Sequence, residues 1–225
     1  MTFSIAGRCA KTGAFGVAIT TSSIAVGARC PHARAGVGAV ATQNVTDPDL
    51  GPMLLDQMEY GLSARDAIKA VVKDRPFIDY RQLTAVDAEG RAASWSGKHI
   101  LGTHGVSEQR DCVAAGNLLK HSTLPHVMTI AFAATAGQHL AERLLHALEA
   151  GLLSGGEEGP VHSAALIVHH EQAFPLVSLR VDWDDENPVM ALRRLWDAYK
   201  PQMGAYLQRA LDPTAAPSYG VPGDP

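Results

Sequence analysis

Thr2 is the residue whose chemistry would matter most in this chain. If Met1 is removed, Thr2 carries the free α-amine, with an ordinary pKa of about 7.7–8.0. Such an amine is partly neutral near pH 7 and can take the proton of its own side-chain hydroxyl. Nucleophile and base then sit in one residue. Thr is small enough for Met1 removal to be expected. The alternative is that Met1 is retained and Thr2 only opens an edge strand. Further hydroxyls follow in the Thr20-Thr21-Ser22-Ser23 run, where Thr20 and Ser22 could orient a substrate. Strand-end hydrogen bonding is the plainer role for them. Gln43 and Asn117 each end an apolar run, and an amide there can donate to an oxyanion. For Asn117, which follows Gly116, an ordinary turn is the alternative. Arg34 closes Cys30-Pro-His-Ala-Arg34. A guanidinium there can hold an anionic substrate group, or it can be a solvated surface charge.

Other patterns carry less. Gly36-Val-Gly38-Ala-Val-Ala41 has the spacing of a dinucleotide fingerprint, but its glycines lie inside a strand-like run with no helix after it. Small residues there suit the close approach of two sheets. The histidines fit no zinc spacing, so no metal and no cofactor are expected. The acidic run 182–187 precedes a helix start, where negative charge is favourable. Cys9, Cys30 and Cys112 are odd in number and irregularly spaced, which reads as reduced thiols. The formal net charge is −4 and no basic stripe appears, so nucleic acid is not an expected partner. Gly, Pro or charge interrupts every apolar stretch before it could span a membrane. With no signal-peptide pattern at the start, a cytoplasmic protein is expected.

The elements that must position these residues follow from periodicity. Residues 2–8 alternate, with Thr2, Ser4 and Ala6 on one side and Phe3 and Ile5 on the other. A turn at 10–13 leads to a return strand at 14–21 with a bulky face and a small one. Residues 36–43 form another apolar strand. Helices are expected over 49–60 and from Ser63, which has capping-box spacing to Asp66. A hairpin over 80–95, a strand over 112–117 and a mostly helical stretch over 124–150 come next. Residues 151–160 read as a flexible loop, and 162–170 and 174–181 as strands. Asn187-Pro188 opens a long helix that Pro201 should kink or split. This order lacks the alternation of a parallel sheet. It suits an α+β fold in which two antiparallel sheets pack face to face under outer helices. Residues 1–211 read as one domain and 212–225 as a Pro/Ala/Gly-rich tail. Such a tail is normally mobile, and a partner subunit holding it would make a homo-oligomer.

Several segments together resemble the domain-of-unknown-function family 1028. They are the start Met-Thr-Phe-Ser-Ile, the run from Ala25 to Gln43, the Gly116-Asn117-Leu118 turn, and Leu179-Arg-Val-Asp with Asn187-Pro-Val. The family pattern has an aromatic residue where this chain has His32. The resemblance spans Thr2 to the last helix and implies a four-layer αββα sandwich similar to the N-terminal nucleophile hydrolases. The reading that follows is an amidohydrolase for a small amide or amidine metabolite. In it Thr2 attacks, Asn117 and Gln43 hold the oxyanion, and Arg34, Thr20 and Ser22 bind substrate. Two rivals stand beside it. One is a non-catalytic binding or assembly protein that keeps Met1. The other is hydrolysis by an activated water near Arg34, Gln43 and Asn117.

Overall fold

Alternation along the N-terminal strand decides which way its hydroxyls face. The computed structural model describes residues 2–221. Met1, on whose removal the Thr2 chemistry depends, lies outside them, as do residues 222–225 of the tail. The strands are β1 (Thr2–Arg8), β2 (Phe15–Thr21), β3 (Pro31–Arg34), β4 (Gly38–Asn44) and β5 (Arg81–Asp87). They continue as β6 (Ala92–Ser96), β7 (Gly105–Gln109), β8 (Cys112–Asn117), β9 (Ser163–His169) and β10 (Val177–Val181). The helices are α1 (Leu50–Glu59), α2 (Ala64–Val72), α3 (Leu124–Ala134), α4 (Leu140–Leu153), α5 (Pro188–Tyr199) and α6 (Met203–Leu211).

Two antiparallel sheets result, flanked by helices. The first has the order β10-β9-β2-β1-β8-β7 and the second β3-β4-β5-β6. Phe3 and Ile5 face outward from the first sheet into a core with Phe132, Leu144, Leu148 and Trp196 of α3, α4 and α5. Val40 and Leu83 of the second sheet pack instead on Leu50, Leu54 and Ile68 of α1 and α2. Between the sheets lie Ala6, Phe15, Val17, Ala39, Ala41, Val86 and Val113. Ala39 and Ala41 belong to the glycine-alanine run, so its small side chains do serve close sheet packing.

β1 is an interior strand, not the edge strand that a purely structural Thr2 suggests. It pairs with β2 in the register Thr2↔Thr21 and with β8 in the register Thr2↔Asn117. The small face of β2 looks toward α4. A Cβ on Gly16 would lie 2.4 Å from the Ile167 carbonyl oxygen and 2.8 Å from Leu144 Cδ1. Overpacking of this kind typically costs about 1–3 kcal/mol, and here one obstacle is backbone. Gly16→Ala is therefore expected to lower unfolding free energy by about 3 kcal/mol in urea denaturation.

The caps match their sequence signals. Ser63 accepts from the Asp66 amide at the start of α2. Asn187 accepts from the Met190 amide, with Pro188 in the first turn of α5. The break between α5 and α6 falls at Pro201. The 124–150 stretch is two helices, separated near Gly137, whose φ of 95 suits glycine. The tail folds back on its own helix. The Arg209 guanidinium lies 3.7 Å from the Tyr219 ring centroid, and its Nη2 donates to the Pro217 carbonyl at 2.8 Å.

Candidate functional site

The layer between the sheets is apolar at one end and polar at the other. At the apolar end are Ala6, Val17 and Ala41. At the other, the same inward-facing positions carry Thr2, Ser4, Thr21, Gln43, Gln82 and Asn117, all buried. Polar groups withdrawn from water must find partners, and these find one another across the two sheets.

One backbone carbonyl sets the direction of this network. The Gly116 carbonyl can only accept, and Gln82 Nε2 donates to it at 3.4 Å and to Ser96 Oγ at 3.2 Å. Gln82 Oε1 must then accept. It takes Gln43 Nε2 at 2.8 Å and Asn117 Nδ2 at 3.4 Å. Gln43 Oε1 in turn accepts from Ser4 Oγ at 2.6 Å. The amide nitrogens of Gln43 and Asn117 are thus turned inward to Gln82. Asn117 Oδ1 points the other way. It is buried and has no hydrogen-bond partner among the described residues. Thr2 is 5% exposed, and its Oγ1 lies 3.0 Å from Thr21 Oγ1.

Beyond the Thr2 end of β1 sits Glu157, in the stretch 151–160 whose composition predicts a flexible loop. Leu119↔Glu157 is an antiparallel bridge, and the Glu158 amide donates to the Leu118 carbonyl at 2.9 Å. These bonds turn Glu157 inward past the ends of β2 and β8. It is only 4% exposed. Ser22 faces it through its backbone, but neither carboxyl oxygen reaches hydrogen-bond geometry with any described residue. Burial pushes its pKa up to about 8, because a charge there would lack water. No sequence motif marks Glu157. The only signal is an acidic residue in a glycine-rich stretch that directly follows a buried helix.

Thr2, Gln43 and Asn117 are therefore brought together, with Ser22 at the rim. Thr20 lies on the opposite face of β2, fully buried, and its hydroxyl donates to the Ser163 carbonyl at 2.8 Å. That bond ties β2 to β9. Arg34 is not brought to the site either. At the end of β3 it pairs with Asp56 at 2.8 Å and with Glu59, both on α1. Arg29 stays local, donating to the Ile24 and Ala25 carbonyls. Among the described residues no group of His, Cys, Asp and Glu could hold a metal ion, and no helix is long and apolar enough to cross a membrane. All three cysteines are unbridged, and burial pushes Cys30 up to about 11 and Cys112 to about 12.

Comparison with known proteins gives a consistent result over most of this architecture. The model of a family of unknown function, DUF1028, matches residues 2–192. The crystal structure of a protein of that family from Silicibacter pomeroyi shares 32% identity at a TM-score of 0.81. The match covers 88% of this chain and 89% of that one. Anbu, the ancestral beta-subunit, from Yersinia bercovieri aligns at 10% identity and a TM-score of 0.41, covering 91% of this chain and 97% of its own. A Gly-1 mutant of Anbu from Hyphomicrobium sp. strain MC1 aligns at 14% and 0.43, covering 98% and 100%. Scores of that size carry no argument about function. No curated protein matches the chain.

Proposed function

We propose that this chain, which belongs to the family of unknown function DUF1028, is a non-catalytic binding protein for a small nitrogenous metabolite. The ligand is an amine or amidine that donates hydrogen bonds at the Thr2 end of the intersheet layer. The observation that carries this reading is that two buried acceptors, Asn117 Oδ1 and the Glu157 carboxyl, have no hydrogen-bond partner among the described residues. Leaving such a group unsatisfied costs about 1–3 kcal/mol, and a ligand N–H offsets that cost. The same geometry argues against Asn117 and Gln43 as oxyanion donors, since their amide nitrogens are turned toward Gln82.

An ammonium or amidinium ligand would ionise Glu157, so affinity should rise with pH until the carboxyl is charged in the unbound protein, near its pKa of about 8. Titration calorimetry of the full chain with acetamidinium, at pH 6 and pH 8, tests this. Tighter binding at pH 8 is expected, with a loss of about ten-fold or more in Glu157→Gln. Acetamidinium binding equal in the two proteins, or absent, would sink the reading.

A second reading is favoured by the Thr2–Thr21 hydroxyl pair. It is an amidohydrolase of the N-terminal nucleophile type on an αββα sandwich. It requires a native protein whose intact mass lacks Met1, and amide turnover that Thr2→Ala abolishes. A native mass that retains Met1 excludes it and leaves the binding reading standing.

A further inference from the structure

Arg143 is a second buried ionisable side chain that makes no ion pair among the described residues. It lies on α4 at the end of the sheet away from Thr2, beside the C-terminal end of β1 and the start of β8. That is roughly 20 Å along the strands from Asn117 at about 3.3 Å per residue. Arg143 is 8% exposed. Its guanidinium stacks on Phe132 with Cζ 3.8 Å from the ring centroid, and Nη2 donates to the Phe132 carbonyl at 3.2 Å. Nε is buried with no partner. Nη1 makes no hydrogen bond to any described residue. Among the described residues no carboxylate lies within ion-pair distance of the group. Asp111 acts on it electrostatically but is committed to Arg8 at 2.8 Å, and the other neighbours are the Cys9 and Cys112 thiols. Burial holds the guanidinium below the usual arginine range, yet an arginine stays protonated at neutral pH.

Arg143 opens on a groove of about 430 Å³. Ile130, Ala133 and Ala136 give it an apolar wall, and Arg110 stands at its rim as a second cation with Asp111 beside it. Ile130 is 56% exposed on that wall. A buried, half-satisfied guanidinium at the bottom and an apolar wall above describe a complementary ligand: one small anionic head and a short hydrocarbon body.

We propose that this groove is a second ligand site, independent of the Thr2 end, that binds a small organic carboxylate with an apolar tail, its carboxylate on Arg143 and its tail against Ile130 and Ala133. A planar carboxylate matches the guanidinium fork. The apolar wall favours such an acid over a fully hydrated inorganic anion.

The test is titration calorimetry and thermal melting of the full chain with hexanoate, inorganic phosphate and hexylamine. Hexanoate is expected to bind and raise the melting temperature, phosphate to bind at least ten-fold more weakly, and hexylamine to do neither. Arg143→Gln should weaken hexanoate at least ten-fold, the loss typical of a buried hydrogen bond to a charged group (about 1.5–3 kcal/mol). Should Arg143→Gln fail to fold, Ile130→Glu decides, because that surface change places a repelling carboxylate on the wall and should abolish hexanoate binding. No shift with hexanoate, or unchanged affinity in Ile130→Glu, overturns the proposal. Phosphate binding as tightly as hexanoate overturns the assignment of an apolar-tailed acid.

Discussion

Replacing Glu157 with Gln is expected to abolish the loss of stability that its buried carboxyl causes between about pH 5 and pH 8. In the folded state burial holds the carboxyl at about 8, against an ordinary value of 4.5. Between those two values the unfolded chain is ionised there while the folded chain keeps its proton. Folding then takes up a proton, so stability falls as pH rises through this window. Above about pH 8 both states are ionised, and below about pH 4.5 both are protonated, so this group adds no slope outside the window. A gap of about three to four pH units, at about 1.4 kcal/mol per unit, gives a loss on the order of 4 kcal/mol. Gln keeps the shape and cannot ionise. Urea denaturation at pH 5, 7 and 9 should show the wild type losing stability across the series and Glu157→Gln nearly flat. Parallel curves would mean that the carboxyl is already charged and matched at neutral pH. The open acceptor behind the proposed ligand site would then not exist.

Much of the frame that holds this residue was legible in the sequence, and the residue itself was not. The alternation of residues 2–8 and 14–21 is strict, because both faces of an interior strand are buried and each packs on a different layer. That pattern correctly put Thr2 and Ser4 on one side and Phe3 and Ile5 on the other. Ser63, Asn187, Pro188 and Pro201 act through local backbone geometry, so their signals needed no tertiary context. The strands that carry no clear sequence signal, β3 and β7, are both sheet edges. β3 is short and starts with Pro31, as edges tolerate. β7 exposes Val106 and buries Ser107, the reverse of an amphipathic strand, because Ser107 Oγ is satisfied 2.8 Å from Thr129 Oγ1 of α3.

The site residues divide the same way. Thr2, Gln43 and Asn117 were findable because each sits at the end of a recognisable strand, and the registers bring those ends together. Arg34 looked equivalent, since it too precedes a strand. It differs in that α1 returns over the second sheet and offers Asp56 and Glu59, which no local pattern announces. Thr20 lost its candidacy to parity alone: one residue from Thr21, it faces the opposite layer. Glu157 depends on a bridge to Leu119, which lies 38 positions earlier. Glycine-rich composition predicted mobility for its loop, but pairing with the residues after Asn117 fixes it.

Gln82→Leu should be the most damaging single change in the polar layer, and Gln82→Glu should show why. Gln82 Oε1 accepts from Gln43 and Asn117, and Nε2 donates to the Gly116 carbonyl. Leucine removes these three bonds and the fourth, to Ser96 Oγ, and leaves the Gln43, Asn117 and Gly116 partners buried. At about 1–3 kcal/mol for each orphaned group, reduced where neighbours relax, a loss of roughly 3–5 kcal/mol is expected in urea denaturation. Glutamate keeps both bonds to Oε1. It cannot donate to Gly116 while ionised, and it sets a charge against that carbonyl in a dry layer. Gln82→Glu should therefore be at least as destabilised as Gln82→Leu at pH 8 and should recover on acidification, when a protonated carboxyl can donate again. If Gln82→Glu were instead as stable as the wild type at pH 8, the donation from Gln82 to the Gly116 carbonyl, which sets the direction of the network, would be refuted. The inward turn of the Asn117 nitrogen, away from an oxyanion, would then lose its anchor.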